Sequence, residues 1–276
     1  MSSLSDFNKF TSALEKRDYL MPVLFIGHGS PMNGIEDNEF SQGWAQMAKE
    51  IPVPAAVLVV SAHWLTEGTM VTAMESPRTI HDFGGFPEAL YEVQYKAPGF
   101  PLLAEETVSL IQVSKASLDH EWGLDHGAWS VVRHMYPNAN VPVLQLSIDY
   151  TREAQYHYDL AKELYSLRSK GVLIIGSGNM VHNLRMLAWD KMNVPGYGFD
   201  WALQINDRFK QLINSNDSET LIDYQKFKES RLAIPTPEHY LPLIYSMGLR
   251  TNKDTVSIFN DKAVAGSITM TSVKFG

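Results

Sequence analysis

Along the chain, short unbroken apolar runs alternate with longer stretches in which apolar positions recur every three or four residues. Unbroken runs rich in β-branched residues occur at 22–27 (PVLFIG), 55–62 (AAVLVVSA), 69–74 (TMVTAM), 141–148 (VPVLQLSI) and 171–178 (GVLIIGSG). A strand that is apolar on both faces needs cover on both faces, so these runs predict a sheet enclosed by helices. Helical periodicity predicts helices over 36–51, 102–114, 151–169 and 198–214. Thr151 stands as N-cap of the third, and Gly171 lies just past its end. TVSIFND and GSITMTSVKFG, near the C-terminus, read as a hairpin. Strands alternating with helices predict an α/β fold: a single domain over 1–276, built around a central mixed, mostly parallel sheet flanked by helices. Phe7, Phe10 and Leu14 fall at helical spacing and predict a helical N-terminal extension over 1–20. Segment 75–99 is rich in Gly, Pro and aromatics and has no period until 88; irregular segments of that length in compact domains are usually functional.

Composition narrows the chemistry. The chain has 276 residues, a formal charge of -8 and no cysteine. Without cysteine there are no disulfides, thiolate–zinc sites, iron–sulfur clusters or thiol nucleophiles, and a reducing compartment fits. No block of Lys and Arg stands out, so nucleic acid is not an expected partner. The first 27 residues lack a basic region followed by a long apolar run, and no stretch approaches a membrane span. The expectation is a cytoplasmic protein with no membrane partner. Nothing in the sequence sets its oligomeric state.

The chain has nine histidines, and their placement is the strongest chemical signal. His28 follows the first strand, between Gly27 and Gly29. His63 ends the second, in VVSAHW. His182 comes just after the fifth, in GSGNMVHN. In open α/β sheets ligands bind beyond the carboxyl ends of the strands, so parallel strands would bring these three together. His126 sits in the Gly-flanked turn GLDHGAW beside Asp125, and His239 opens the last helix in PTPEHYLPL. Three histidines with an open position make a catalytic metal site. A single histidine at a strand end is more often a hydrogen-bonded structural residue; several beside Gly or Ser favour a site. His134 and His157 lie in helical patterns and His120 beside Glu121, which suits surface or packing roles. GSGNMV has two glycines of a dinucleotide fingerprint, but Val181 follows and no acidic strand end stands about 20 residues on. Ser30 and Ser177 lie near histidines as candidate nucleophiles, though turn serines usually bond backbone.

Together, GHGSPM, SAHW, TIHDFGGFPEALYEVQYKAPG, GLDHGAWSVVRHMYPNANVPVLQLSID, GSGNMVHNLR and EHYLPL resemble the class III extradiol ring-cleavage dioxygenases, in particular the 4,5-DOPA extradiol branch. The resemblance runs from about Pro22 to the C-terminus. It implies one α/β domain that opens a catechol such as L-DOPA beside its hydroxyls, inserting both atoms of O2. Carried over by motif, His28, His63 and His239 match the metal ligands and His182 the catalytic histidine, with His182 also a possible fourth contact to the metal. His126 matches a pocket histidine whose tautomer Asp125 would set. The wider family uses two histidines and a glutamate; here His239 takes that place, with Glu238 adjacent. One divalent metal is implied, Fe(II) for activity, with Zn(II) compatible with three histidines. His81, Asp82 and Tyr95, on the 75–99 segment, would close over the substrate ring, unless that segment is a structural crossover. The alternatives are a zinc hydrolase using metal-bound water and a non-catalytic metal-binding adaptor of the same fold.

Overall fold

A computed structural model describes residues 13–192 and 194–276. Its centre is a sheet of eight strands in the order β4-β3-β5-β2-β6-β1-β10-β7. The strands are β1 (Val23–Gly27), β2 (Ala56–Thr66), β3 (Thr69–Thr72), β4 (Ala116–Asp119), β5 (Val143–Asp149), β6 (Val172–Gly178), β7 (Val256–Phe259) and β10 (Ser272–Phe275); β8 (Ala263–Val264) and β9 (Ile268–Thr269) form a separate small hairpin. The four inner strands β5, β2, β6 and β1 run parallel. β3 meets β5 antiparallel, and β10 meets β1 and β7 antiparallel. This is the mixed sheet that the apolar runs predict, and β7 with β10 is the expected C-terminal pairing.

Successive residues of the inner strands alternate between two cores, as the two-residue period of a strand requires. Val23, Phe25, Leu58, Val60 and Ile174 face one core. There they meet α2 (Pro101–Leu110), α4 (Ala154–Glu163), α5 (Asp200–Ser215) and α6 (Leu241–Leu249). Leu24, Ile26, Val57, Val59, Leu173 and Ile175 face the other, under α1 (Glu39–Glu50) and α3 (His126–Met135). The fully buried Arg168 ties the first core together. It donates to the carbonyls of Met21 and Leu249 and to both carboxylate oxygens of Asp254, each at 2.8 Å. The start of β1 and the end of α6 are thereby pinned to one side chain.

Two expectations need correction. β2 does not stop before His63 but continues to Thr66, with its register to β5 broken between Val60 and Leu65. Such a break re-aims side chains. Thr151 does not cap α4. Glu153 holds the N-cap position without a side-chain bond, while the Thr151 hydroxyl donates to Asp149 at 2.7 Å. Gly171 does end that helical segment, in left-handed conformation (φ 78°). The predicted N-terminal extension falls mostly on residues 1–12, outside the described residues, and 13–20 contain no helix.

α4 also supplies a test of acid stability. His157 is fully buried and 3.0 Å from the Tyr245 hydroxyl of α6. Burial pushes its imidazole down to about 4. Between about pH 6.5 and 4 the unfolded chain binds a proton at this position and the folded chain does not, so stability falls as the medium is acidified through that window. One such group costs at most about 1.4 kcal/mol per pH unit. Denaturant unfolding across this range is expected to show a shallower loss in His157→Gln than in the wild type.

Candidate functional site

The site is assembled where the inner strands end. Gly27 pairs with Gly178 and Ser61 with Ser177, so the chain beyond β1 and β6 emerges beside the last part of β2. The His28 amide donates to the Gly178 carbonyl at 3.1 Å, and the Asn33 side chain donates to the His28 carbonyl at 2.9 Å. Gly29 turns the chain away with φ 63°. His239 arrives from the segment before α6. Its carbonyl accepts from the Asn179 amide at 2.8 Å and lies where any side chain at position 178 would sit, so glycine is required there. His182 is placed by its amide bond to the Ala233 carbonyl at 2.8 Å and by pairing with Ile268. His126 is the first residue of α3, whose N-cap is Asp125.

These elements gather five imidazoles. Ring centroids of His28 lie 5.0 Å from His63, 5.5 Å from His126 and 5.4 Å from His239. His63 and His126 are 3.9 Å apart. His182 stacks face to face on His239 at 3.6 Å with the rings 8° from parallel. Candidate ligand atoms of His28, His63 and His239 lie within 4.8 Å of one another; His182 is outside that trio.

Hydrogen bonding orients the trio. The Ser177 hydroxyl spends its one proton on the Gly127 carbonyl at 2.5 Å, so at 3.1 Å from His28 Nδ1 it can only accept. His28 is therefore protonated at Nδ1, and its Nε2 carries a lone pair. His63 Nδ1 is 3.4 Å from Asp82 Oδ2, and His239 Nδ1 is 3.4 Å from Glu238 Oε1. Carboxylates accept, so the same tautomer is favoured in both. The Nε2 atoms of His28 and His63 then face each other across 3.0 Å, each offering a lone pair. Metal–nitrogen bonds of about 2.0–2.1 Å place neighbouring ligand nitrogens at about that separation. A divalent cation would replace the lone-pair repulsion with coordination, and an oxygen acceptor behind each ligating histidine is the usual second-layer arrangement.

Burial keeps these rings neutral, as ligation requires. Removal from water, reinforced by the neighbouring histidines, holds His28 and His239 well below the usual histidine range. Burial and the nearby His126 take His63 down to about 3 despite the opposing pull of Asp82. His182 is pushed to about 4, again mainly by burial.

Asp82 shows where its segment matters. Its Oδ1 accepts from the His126 amide and its Oδ2 from His126 Nδ1–H, each at 2.8 Å. Burial opposes its ionisation, but the bonds and charge of His126 and His63 outweigh that and hold it below the ordinary carboxylate value. Asp82, and not Asp125, is thus the carboxylate that stands against His126 Nδ1. Asp125 turns away, accepting from the Ser61 hydroxyl at 2.6 Å and capping α3 through the Ala128 amide. Burial, with Asp82 nearby, raises it to about 6.

Of the other two residues expected over the substrate, His81 Nε2 pairs with the Val93 carbonyl at 3.0 Å. The buried Tyr95 hydroxyl donates to the Tyr136 carbonyl at 2.9 Å. Both brace the segment, and neither joins the cluster. Phe83, which the sequence did not single out, packs edge-on against His126 at 5.6 Å. Of the remaining histidines, His120 is exposed and His134 bonds the Asn33 carbonyl at 2.8 Å. Ser30 accepts from the Met32 amide as a turn serine does.

A cluster of neutral imidazoles on the carboxyl edge of an α/β sheet defines a metal-centre architecture. The comparisons with known proteins agree with it. Residues 22–276 match the family model described as the catalytic LigB subunit of aromatic ring-opening dioxygenase. The chain is 44% identical over 260 residues to a 4,5-DOPA dioxygenase extradiol of Escherichia coli (strain K12), covering 93% of this chain and 95% of that one. It is 34% identical over 265 residues to a 4,5-DOPA dioxygenase extradiol of Beta vulgaris, covering 94% and 97%. Among solved structures, an uncharacterized protein of Escherichia coli K12 superposes with a TM-score of 0.80 at 39% identity, over 93% of this chain and all of that one. The chain belongs to the LigB family of aromatic ring-opening dioxygenases and is a ring-cleaving oxygenase. Among the described residues, no helix is long and apolar enough to cross a membrane.

The orienting role of Ser177 can be measured. Ser177→Ala removes the acceptor behind His28 without touching a ring nitrogen, and loss of such a partner typically weakens metal binding 10–100-fold. Competition between apoprotein and a chelator for Zn(II) is expected to show a drop of that order, with unfolding still cooperative.

Proposed function

We propose that this protein is a cytoplasmic extradiol dioxygenase that opens the ring of a catechol such as L-DOPA, using O2 and one divalent metal held by His28, His63 and His239. The observation that carries the reading is the set of three imidazoles, each with Nδ1 against an oxygen and Nε2 left for a shared cation. The names of the relatives supply the substrate class. An Fe(II) ion at this position would supply the redox centre at which catecholate and O2 meet. Zn(II) suits the same ligands but cannot change oxidation state.

The surrounding side chains then have definite tasks. His182, half-buried and kept unprotonated by burial, which pushes its imidazole to about 4, is free to accept a proton from a substrate hydroxyl and returns it as the ring opens. Its face-to-face stacking on His239 favours this acid–base role over a fourth ligand position. His126, with its Nδ1 proton held by Asp82, turns Nε2 outward as an acceptor for the second hydroxyl. Phe83 offers an aromatic edge beside it. Both oxygen atoms of O2 end in the ring-opened product, so no external reductant is needed.

The test is reconstitution with Fe(II) in the absence of air, addition of L-DOPA, then admission of O2. A yellow ring-opened product is expected only after oxygen enters. Turnover without oxygen would indicate a hydrolase, and no turnover with any catechol under any metal loading would indicate an adaptor. In the same assay His28→Ala is expected to lose metal. His182→Ala is expected to keep it while turnover falls about 10²–10⁴-fold. Normal activity in His182→Ala would remove the acid–base assignment.

A further inference from the structure

Asp82 faces two histidines that belong to different parts of the site. Its Oδ1 and Oδ2 both bond His126, through the main-chain amide and through Nδ1, at 2.8 Å each. The same Oδ2 lies 3.4 Å from His63 Nδ1. The two rings are 3.9 Å apart and tilted by 49°, so one carboxylate oxygen sits between two inward-turned nitrogens. An ionised carboxylate only accepts, so each Nδ1 is favoured as N–H and each Nε2 as a lone pair. The opposite tautomer of His126 would set a lone pair against the carboxylate at 2.8 Å. The side chain of Asp82 is only 16% exposed, so water does little to relieve that repulsion.

We propose that Asp82 is a positioning residue shared by the metal-binding and substrate-binding halves of the site, holding His63 and His126 together in the Nδ1–H tautomer. The 75–99 segment is then more than a crossover. It delivers one carboxylate between β2, which carries His63, and the start of α3, which carries His126. Phe83 adjoins it, and the two glycines that follow leave open space where side chains would stand. Asp82 touches neither substrate nor metal in this scheme. It acts by fixing which nitrogen of each ring is free, and any displacement of the segment would disturb both histidines at once. For its effect on turnover the inference rests on the ring-opening reading above; for its effect on the rings it does not.

The experiment follows nitrogen resonances of ¹⁵N-histidine in the apoprotein. The wild type is expected to show His63 and His126 protonated at Nδ1. Asp82→Asn, which puts an amide N–H where an acceptor stood, is expected to shift His126 toward the Nε2–H tautomer. The folded state should persist, with one Zn(II) bound at up to about 10–100-fold lower affinity. Under the Fe(II) assay kcat should fall about 10–100-fold with a smaller change in KM, and Asp82→Glu should restore part of it. A wild-type His126 protonated at Nε2, or unchanged tautomers in Asp82→Asn, would overturn the proposal. So would a second Zn(II) bound by the wild type and lost in Asp82→Asn, because Asp82, His63 and His126 also lie within ligand distance of one another and Asp82 would then be a ligand. If the wild type opens no catechol, the resonances still decide the role of Asp82, and only the ring-opening reading fails.

Discussion

A buried imidazole can turn a lone pair toward a shared point only if its other nitrogen has an acceptor. An N–H left without one in the interior costs roughly 1–3 kcal/mol. At this site the condition is met by three different oxygens: a serine hydroxyl already committed as donor to Gly127, an aspartate from a distant loop and a glutamate next in the chain to its histidine. Each acceptor comes from a different element, so the cluster can form only after the sheet, the crossover segment and the approach to the last helix have all docked. The neutrality of the rings follows from the same packing, since burial disfavours protonation and leaves the nitrogens available for a cation.

The scaffold makes those meetings possible through close backbone approach. Glycine at 178 lets the His239 carbonyl rest against β6, and the register break in β2 aims His63 at the cluster although the strand runs past it. The four parallel inner strands carry apolar side chains on both faces, so a shift of one residue would exchange side chains between the two cores, and the fit of their shapes rather than polarity sets the register. Arg168, reaching the start of β1, the end of α6 and Asp254, anchors the far end of the elements that present His28 and His239. The positions of the clustered histidine nitrogens thus depend on packing well removed from them.

Much of this was legible from residue order. The apolar runs predicted the inner strands and their helical cover, and His28 between glycines after a strand pointed to a site. Where the reading stopped short, the reason is distance along the chain. His126 and Asp125 are neighbours in sequence, so Asp125 was the natural partner; the helix cap at Asp125 points its carboxylate at Ser61 and Ala128 instead. The partner in fact stands 44 positions earlier, on a segment without period. His81, next to it in sequence, and Tyr95, on the same segment, bond instead to Val93 and Tyr136. The 56–66 strand was cut short for a similar reason. His63 after Ala62 broke the apolar run, while β5 continues to pair with Leu65 and Thr66 beyond it.

In the proposed metal site, a histidine at 239 in place of the glutamate that the family resemblance implies would remove a negative charge from the inner layer, and carboxylates stand one layer out. Glu238 lies behind His239 and Asp82 behind His63, each within 3.4 Å of an Nδ1. A carboxylate hydrogen-bonded to a ligating imidazole makes that ring more electron-donating, without occupying a coordination position. On the proposed reading, three neutral ligands supported in this way would leave room for a substrate that binds through two oxygens, while part of the cation's charge would be balanced from behind. His182 is stacked against His239, and His126 is held by Asp82. On that reading proton transfer and metal binding would be tied through shared ring and carboxylate contacts, and a change to one outer acceptor should be felt in both.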